Sequence, residues 1–295
     1  MNNNRHAYLI LAHHYPKLLQ VLIDMIDDER NDVYLHIDAK ADMSQFASIH
    51  AEKSKLIYTK RNKVYWGDFS MMNTELMLFE TAHKNGPYLY YHLLSGVDLP
   101  LKNQDFIHHL MDDVYIGKEF VGINEHPEFE YRLRYYHLFG VYFRSRQRIG
   151  HYLSNIRRYA IILQKKIGVW RNRCRVYYYG PTWVSMTDGL CQFILSNQRK
   201  IKKLYHHTFA ADESFIQTLV YDSPFYNRVY DKANDYKSCM RLIDWDKEPG
   251  KSSPHTWTCG DWDELTSSDR LFARKFSEDD MDFIYRLKDY VMKTE

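Results

Sequence analysis

The sequence predicts an α/β fold built on a mostly parallel sheet flanked by helices, and three observations carry that prediction. Residues 7–12 (AYLILA) and 33–37 (VYLHI) are short continuous apolar runs, the pattern of strands buried on both faces. Between them, residues 17–25 (KLLQVLIDM) follow Pro16 and place Leu18, Leu19, Leu22 and Met25 on one helical face. The order strand, helix, strand is a βαβ unit, whose crossover makes the two strands parallel.

The remaining elements follow in order. A third strand is expected over residues 56–58, and a helix over 70–84 that stops at Asn85-Gly86-Pro87. Residues 88–94 (YLYYHLL) give a fourth strand, which runs out into Ser95-Gly96-Val97-Asp98-Leu99-Pro100. The second half is less regular: a strand and turn over 176–185 (VYYYGPTWVS), helices over 189–204 and 214–221, a loop-rich stretch over 251–262, and a closing helix over 279–292. No repeat, low-complexity linker or composition break divides the chain, so one domain over residues 1–295 with a basic insertion is expected.

Composition bounds the function classes. With 295 residues, 45% hydrophobic and 26% charged, the chain is too apolar for a disordered protein and long enough for a large core. No run of 18 apolar residues occurs, and the start lacks the apolar stretch of a signal peptide, so neither secretion nor a membrane span is expected. The four cysteines (Cys174, Cys191, Cys239, Cys259) match no zinc spacing, and free thiols in a reducing cytoplasm are the expected state.

The net charge of +2 hides an asymmetry. No Asp or Glu lies between Tyr131 and Thr187, where Arg132, Arg134, Arg144, Arg146, Arg148, Arg157, Arg158, Lys165, Lys166, Arg171, Arg173 and Arg175 carry positive charge. Interleaved with Tyr, Phe, Leu and Ile, this block suits an anionic partner such as lipid headgroups, a phosphorylated acceptor or nucleic acid, and equally a solvated helix face.

In open α/β sheets ligands bind beyond the carboxyl ends of the strands. The residues there are His13 and His14, Asp38 and Lys40, then Ser95, Gly96 and Asp98, with no G-x-G-x-x-G or P-loop at any of these turns. A standard dinucleotide fold or a P-loop NTPase is therefore not expected. Glu213 follows Ala210-Ala211 and opens an apolar helical run, where a carboxylate is favoured by the helix dipole and can act as a base. Capping by Asp212 or Glu213 accounts for the same dipeptide. In Phe272-Ala273-Arg274-Lys275-Phe276, two cations between bulky apolar residues can meet an anion such as a diphosphate, or can be a solvated basic pair. D-x-D pairs at Asp244/Asp246, Asp261/Asp263 and Asp280/Asp282 lie away from the strand ends, and the 15 histidines show no ligand spacing, so no metal is assigned.

Taken in order, AYLILAHHYPKLLQVLIDMI, DVYLHIDAK, VYWGDFSMMNTELMLFETA, YYHLLSGVDLPLK, GKEFVGIN, YGPTWVSMT, ADESFIQTLV, RLIDWD and LFARKF resemble the core-2/I-branching N-acetylglucosaminyltransferase family, which includes the peptide O-xylosyltransferases, and its short bacterial branch most closely. The resemblance runs nearly end to end. It implies a GT-A type fold with a Rossmann-like sheet, residues 1–125 binding a nucleotide sugar and residues 177–295 forming the acceptor and catalytic half; the basic block over 131–176 departs from the family in charge density and is expected, from its charge, to be an insertion facing membrane or acceptor. It implies inverting transfer of a sugar, N-acetylglucosamine or else xylose, glucose or galactose, from a UDP-sugar to a glycan acceptor, with no cofactor and no divalent metal. The family's general base maps to Glu213 and its diphosphate lysine to Lys275, with Arg274, Lys251 and Arg241 competing as the second cation. Asp38 matches the acidic residue near uracil and ribose; Trp66-Gly67 and Ser95-Gly96-Val97-Asp98 match turns around the donor. Trp183 matches an aromatic at the sugar site, and Asp212, beside the base, goes with it to the acceptor. A lipid-linked acceptor, peripheral docking on the cytoplasmic leaflet and no nucleic-acid partner complete the expectation. A nucleic-acid-binding protein that uses the basic block is the competing class.

Overall fold

The computed structural model describes residues 4–145, 148–247 and 253–293. Its central sheet has five strands: β1 (His6–Ala12), β2 (Asn31–Ile37), β3 (Lys55–Tyr58), β4 (Tyr90–Ser95) and β6 (Ser185–Thr187), ordered β3-β2-β1-β4-β6. β1 pairs in parallel with both β2 and β4, Leu9 lying opposite Tyr34 and Leu93; only β6 runs antiparallel. The expected βαβ unit is completed by α1 (Pro16–Ile26).

Every residue of β1 and β2 is buried, because helices cover both faces. Tyr8, Ile10 and Ala12 point into one core with α1 and α11 (Met281–Lys293); Ala7, Leu9 and Leu11 point into the other, with α2 (Phe69–Asn85), α6 (Asp188–Ser196) and α8 (Phe215–Tyr221). Each Leu or Ile so buried stabilises the fold by roughly 1.5–3 kcal/mol. Polar contacts fix where the helices dock. Glu278, just before α11, accepts the free N–H groups of Lys17 and Leu18 at 2.6 and 3.0 Å, and Lys288 pairs with Asp24 at 2.5 Å.

A second sheet was not expected from the sequence. β5 (Asp98–Pro100), β8 (Phe272–Arg274) and β7 (Arg241–Ile243) lie in the order β5-β8-β7, with Asp98 opposite Arg274. The FARKF segment is therefore a strand and its continuation rather than a solvated pair before a helix. Residues 176–184 are not the expected strand: only Ser185–Thr187 joins the sheet, since Pro181 cannot donate and Gly180 N–H bonds to the Glu213 carbonyl at 3.0 Å instead. The expected 189–204 helix is two, α6 and α7 (Gln198–Tyr205), broken at Asn197. Short helices α3 (Gln104–His108), α4 (Tyr131–Arg134), α9 (Asp235–Ser238) and α10 (Trp262–Ser267) connect these elements, and α5 (Arg148–Lys166) runs through the basic block. No helix among the described residues is long and apolar enough to cross a membrane.

Candidate active site

A cleft of about 690 Å³ opens beyond the carboxyl ends of β1, β2 and β4. Its walls bring together Asp38, Trp66, Ser95, Trp183, Asp212, Glu213 and Arg274, residues up to 236 positions apart in sequence (Asp38 to Arg274). Gly67, Gly96, Asp98 and Lys275 stand behind these walls, and Lys251 lies outside the described residues.

The strand ends build the first wall. Asp38 follows β2 and is nearly buried; its Oδ1 accepts the Lys40 backbone N–H at 2.8 Å and its Oδ2 lies 3.4 Å from Lys40 Nζ. His36 accepts the Asn62 N–H at 3.0 Å through Nε2, and burial lowers its pKa to about 4, so the ring is neutral with its proton on Nδ1. Burial, then His13, Arg274 and Lys275, lower the pKa of His14 to about 4, so a neutral ring stands beside those cations. Gly96 is required by packing: a Cβ there would meet the Ala12 Cβ at 2.8 Å.

Asp98 is not a cleft residue. It is 2% exposed; Oδ2 accepts the Ser95 N–H at 2.8 Å and Oδ1 accepts from Arg274 Nη1 at 2.7 Å. Both oxygens are spent on positioning the strand-end turn and the arginine. Arg274 in turn lies over the Trp183 ring, 4.3 Å from its centroid. Lys275 donates from Nζ to Ser253 Oγ at 2.6 Å, and Ser253 lines the cleft. Arg241, a competitor for the second cation, is 2% exposed and bonded to Cys239 O, Val184 O and Ser185 Oγ, so it is a core residue.

Another part of the lining carries the carboxylates. Ala211–Glu213 form a single 3-10 turn before α8, and neither acid caps that helix. Glu213 accepts from Arg132 Nη1 at 2.5 Å and is about a third exposed at the cleft. Asp212 is buried; Thr182 Oγ1 donates to its Oδ2 at 3.3 Å while Oδ1 has no hydrogen-bond partner among the described residues. Burial, reinforced by the neighbouring Glu213 charge, pushes Asp212 up to about 7. Beneath them, Glu75 of α2 is fully buried, and burial followed by Asp212 and Glu213 holds its carboxyl well above the usual range. The turn is tied to the Trp66-Gly67 loop by the Ala210 N–H, which bonds to Gly67 O at 2.8 Å; Gly67 takes φ +70° with Phe209 against its Cα.

These contacts also expose what the sequence reading missed. Arg132 and Arg144 line the cleft, Arg144 over Trp66 at 3.7 Å and Arg132 over Phe129 at 3.8 Å. Arg134 bonds Glu130 and Asn172 O, and Arg171 bonds Leu204 O and His206 O. Arg132, Arg134 and Arg171 are thus committed to contacts within the protein, whereas Arg148, Arg158, Lys165, Lys166 and Arg173 stay exposed. Some of the interleaved aromatics were the available signal, since Tyr136, Phe143, Trp170 and Tyr177 carry guanidinium groups over their rings. Trp245 and Tyr236, also in the lining, had no signal in the sequence.

A model of the Core-2/I-Branching enzyme family matches residues 6–269. The chain belongs to that family. It is a glycosyltransferase with a GT-A-like α/β fold, and the family acts between a sugar donor and a glycan acceptor. Comparison with curated proteins returns no match. In this glycosyltransferase the first aspartate of each D-x-D pair serves local structure: Asp244 Oδ1 accepts the Asp246 and Lys247 N–H groups, Asp261 accepts from His255 and Lys247, and Asp280 caps α11 through Phe283 N–H. A His6, His108, Asp112 cluster has ligand-type atoms close together, but it is not part of the cleft. Asp112 accepts from both rings at 2.8 and 3.1 Å, and their other nitrogens meet His92 and Asn31 at 3.0 Å, so every ligand atom is already engaged.

Proposed function

We propose that this glycosyltransferase moves N-acetylglucosamine from a UDP-sugar to a hydroxyl of a glycan acceptor, with inversion to a β linkage and without a divalent metal. Glu213 takes the proton of the acceptor hydroxyl as that oxygen attacks the anomeric carbon from the face opposite the nucleotide. Arg274, Lys275 and Lys251 stabilise the charge that develops on the departing diphosphate. Asp38, Trp66 and Ser95 border the donor; Gly67, Gly96 and Asp98 shape its turns from behind, and Trp183 and Asp212 border the acceptor. Residues 1–125 form the donor half and 177–295 the acceptor half of one catalytic domain.

The observation that carries this reading is the pairing, across one cleft, of a carboxylate on a fixed turn with a guanidinium held by Asp98 against Trp183. A base and a leaving-group stabiliser lining one cleft is what in-line displacement requires. The acceptor is lipid-linked, and the enzyme works in peripheral contact with an anionic membrane at the inner face, in the synthesis of a cell-surface polysaccharide.

Calorimetric titration with UDP and a panel of UDP-sugars in EDTA tests the reading. Micromolar UDP binding that survives chelation and is lost in Lys275→Ala supports it, and the tightest sugar names the donor among N-acetylglucosamine, xylose, glucose and galactose. Binding that requires a divalent cation overturns the metal-independent mechanism.

A further inference from the structure

α5 (Arg148–Lys166) is 19 residues long, and Gly150 is its one buried residue. Helices on globular proteins turn their apolar stripe toward the core. Here Ile149, Tyr152, Tyr159 and Leu163 are 53, 66, 71 and 56% exposed, and Ile167 just beyond the helix is 65% exposed. With the half-buried Ile156, their spacing of three, four, three, four and four residues lays them along one stripe. Arg148, Arg158 and Lys166 are exposed on the flank of that stripe, 0°, 280° and 0° around a 100°-per-residue wheel on which Tyr159 stands at about 20°.

We infer that α5 is an in-plane anchor for an anionic lipid surface. Ile149, Tyr152, Tyr159, Leu163 and Ile167 enter the headgroup boundary, while Arg148, Arg158 and Lys166 meet lipid phosphates. The inference gives a face and a mode to the membrane contact proposed above and rests on that reading for its purpose, not for its geometry. It also revises which cations take part. Arg157 lies over Phe143 at 4.3 Å and Arg144 over Trp66 at 3.7 Å, so both belong to the protein body. Charge decides the occupant: residues 131–187 contain no Asp or Glu, so a second copy laid on the stripe would set Arg148, Arg158 and Lys166 against their own kind without a counter-charge. An anionic bilayer supplies both the apolar phase and the counter-charge. Arg144, four residues before α5, lines the cleft, so the anchor holds the cleft mouth close to the surface it lies on.

Vesicle flotation tests this, with phosphatidylcholine alone and with phosphatidylcholine mixed with phosphatidylglycerol. The wild type should bind only the anionic vesicles. Arg148→Gln/Arg158→Gln/Lys166→Gln should bind about 100-fold more weakly, and Tyr159→Ser/Leu163→Ser at least tenfold more weakly, while both keep wild-type thermal unfolding and UDP affinity. Unchanged vesicle binding in both variants, or none by the wild type, would overturn the anchor. So would a dimer in sedimentation velocity that Tyr159→Ser/Leu163→Ser abolishes, since the stripe would then belong to a second copy. Because flotation uses no nucleotide, vesicle binding without UDP binding would sink the donor reading and leave the anchor standing.

Discussion

Arg132 Nη1 donates to Glu213 Oε2 at 2.5 Å, joining a residue of the basic block to the carboxylate of the Ala211–Glu213 turn. The contact fixes where the carboxylate points by engaging Oε2. If Glu213 is the base, Glu213→Gln should lower kcat by roughly 10²–10⁴-fold while UDP affinity and unfolding stay near wild type. Arg132→Leu should cost less, about ten- to a hundredfold, because the base remains but is no longer aimed. Steady-state transfer and UDP calorimetry on both variants separate the two roles. A Glu213→Gln enzyme within threefold of wild type would remove this residue from the chemistry.

The Asp98–Arg274 pair links the two sheets to the cleft. Its geometry follows from register, since the two residues face each other across β5 and β8. Asp98→Asn leaves a partly buried guanidinium without its counter-charge, and breaking such a pair costs about 3–5 kcal/mol. UDP affinity should fall about tenfold or more as Arg274 is released from its place over Trp183. Arg274→Lys should retain the charge but not the stacking, and give an intermediate UDP affinity in the same titration.

Asp212 sets a pH dependence whose sign can be worked out. Burial and the Glu213 charge push it up to about 7, above the value of about 3.9 expected for the unfolded chain. The unfolded state therefore releases its proton first, and the stabilisation from a protonated Asp212 is complete below pH 4 and lost as pH rises through 7. Asp212→Asn should match wild type in denaturant unfolding at pH 4 and exceed it increasingly up to pH 8. The same variant should lose any inflection near pH 7 in its rate profile.

Legibility of these features in the sequence follows from length and locality. The β1-α1-β2 unit and α2 could be read because long periodic segments and the stop at Asn85-Gly86-Pro87 signal themselves locally. The β5-β8-β7 sheet could not, since three-residue strands carry no period and pair across the chain, Arg241 with Phe272 and Asp98 with Arg274. The same holds in the cleft. Glu213, Arg274 and Trp183 were marked by their motifs, whereas Arg132 and Arg144 were hidden in a run of cations whose individual directions only tertiary packing decides. Asp98 was legible as a strand-end acid, but its burial behind Arg274 was not.

Glu75 extends the argument to a group that no motif marked. It lies in the middle of α2 with 0% exposure, and neither carboxyl oxygen has a hydrogen-bond partner among the described residues. Burial, and after it the Asp212 and Glu213 charges, hold it well above the usual carboxyl range and so favour the neutral acid. A raised pKa means stability that is full below about 4.5 and is lost as pH rises. Glu75→Gln keeps the shape and removes the ionisation, so its Tm should equal the wild type's near pH 4 and exceed it at pH 8. A neutral amide in place of a neutral acid should leave transfer within about threefold of wild type. A hundredfold loss in Glu75→Gln with an unchanged Tm would instead show that the Glu75 proton moves during the reaction, and the carboxyl would then have to be counted with Asp212 and Glu213 as one titrating unit.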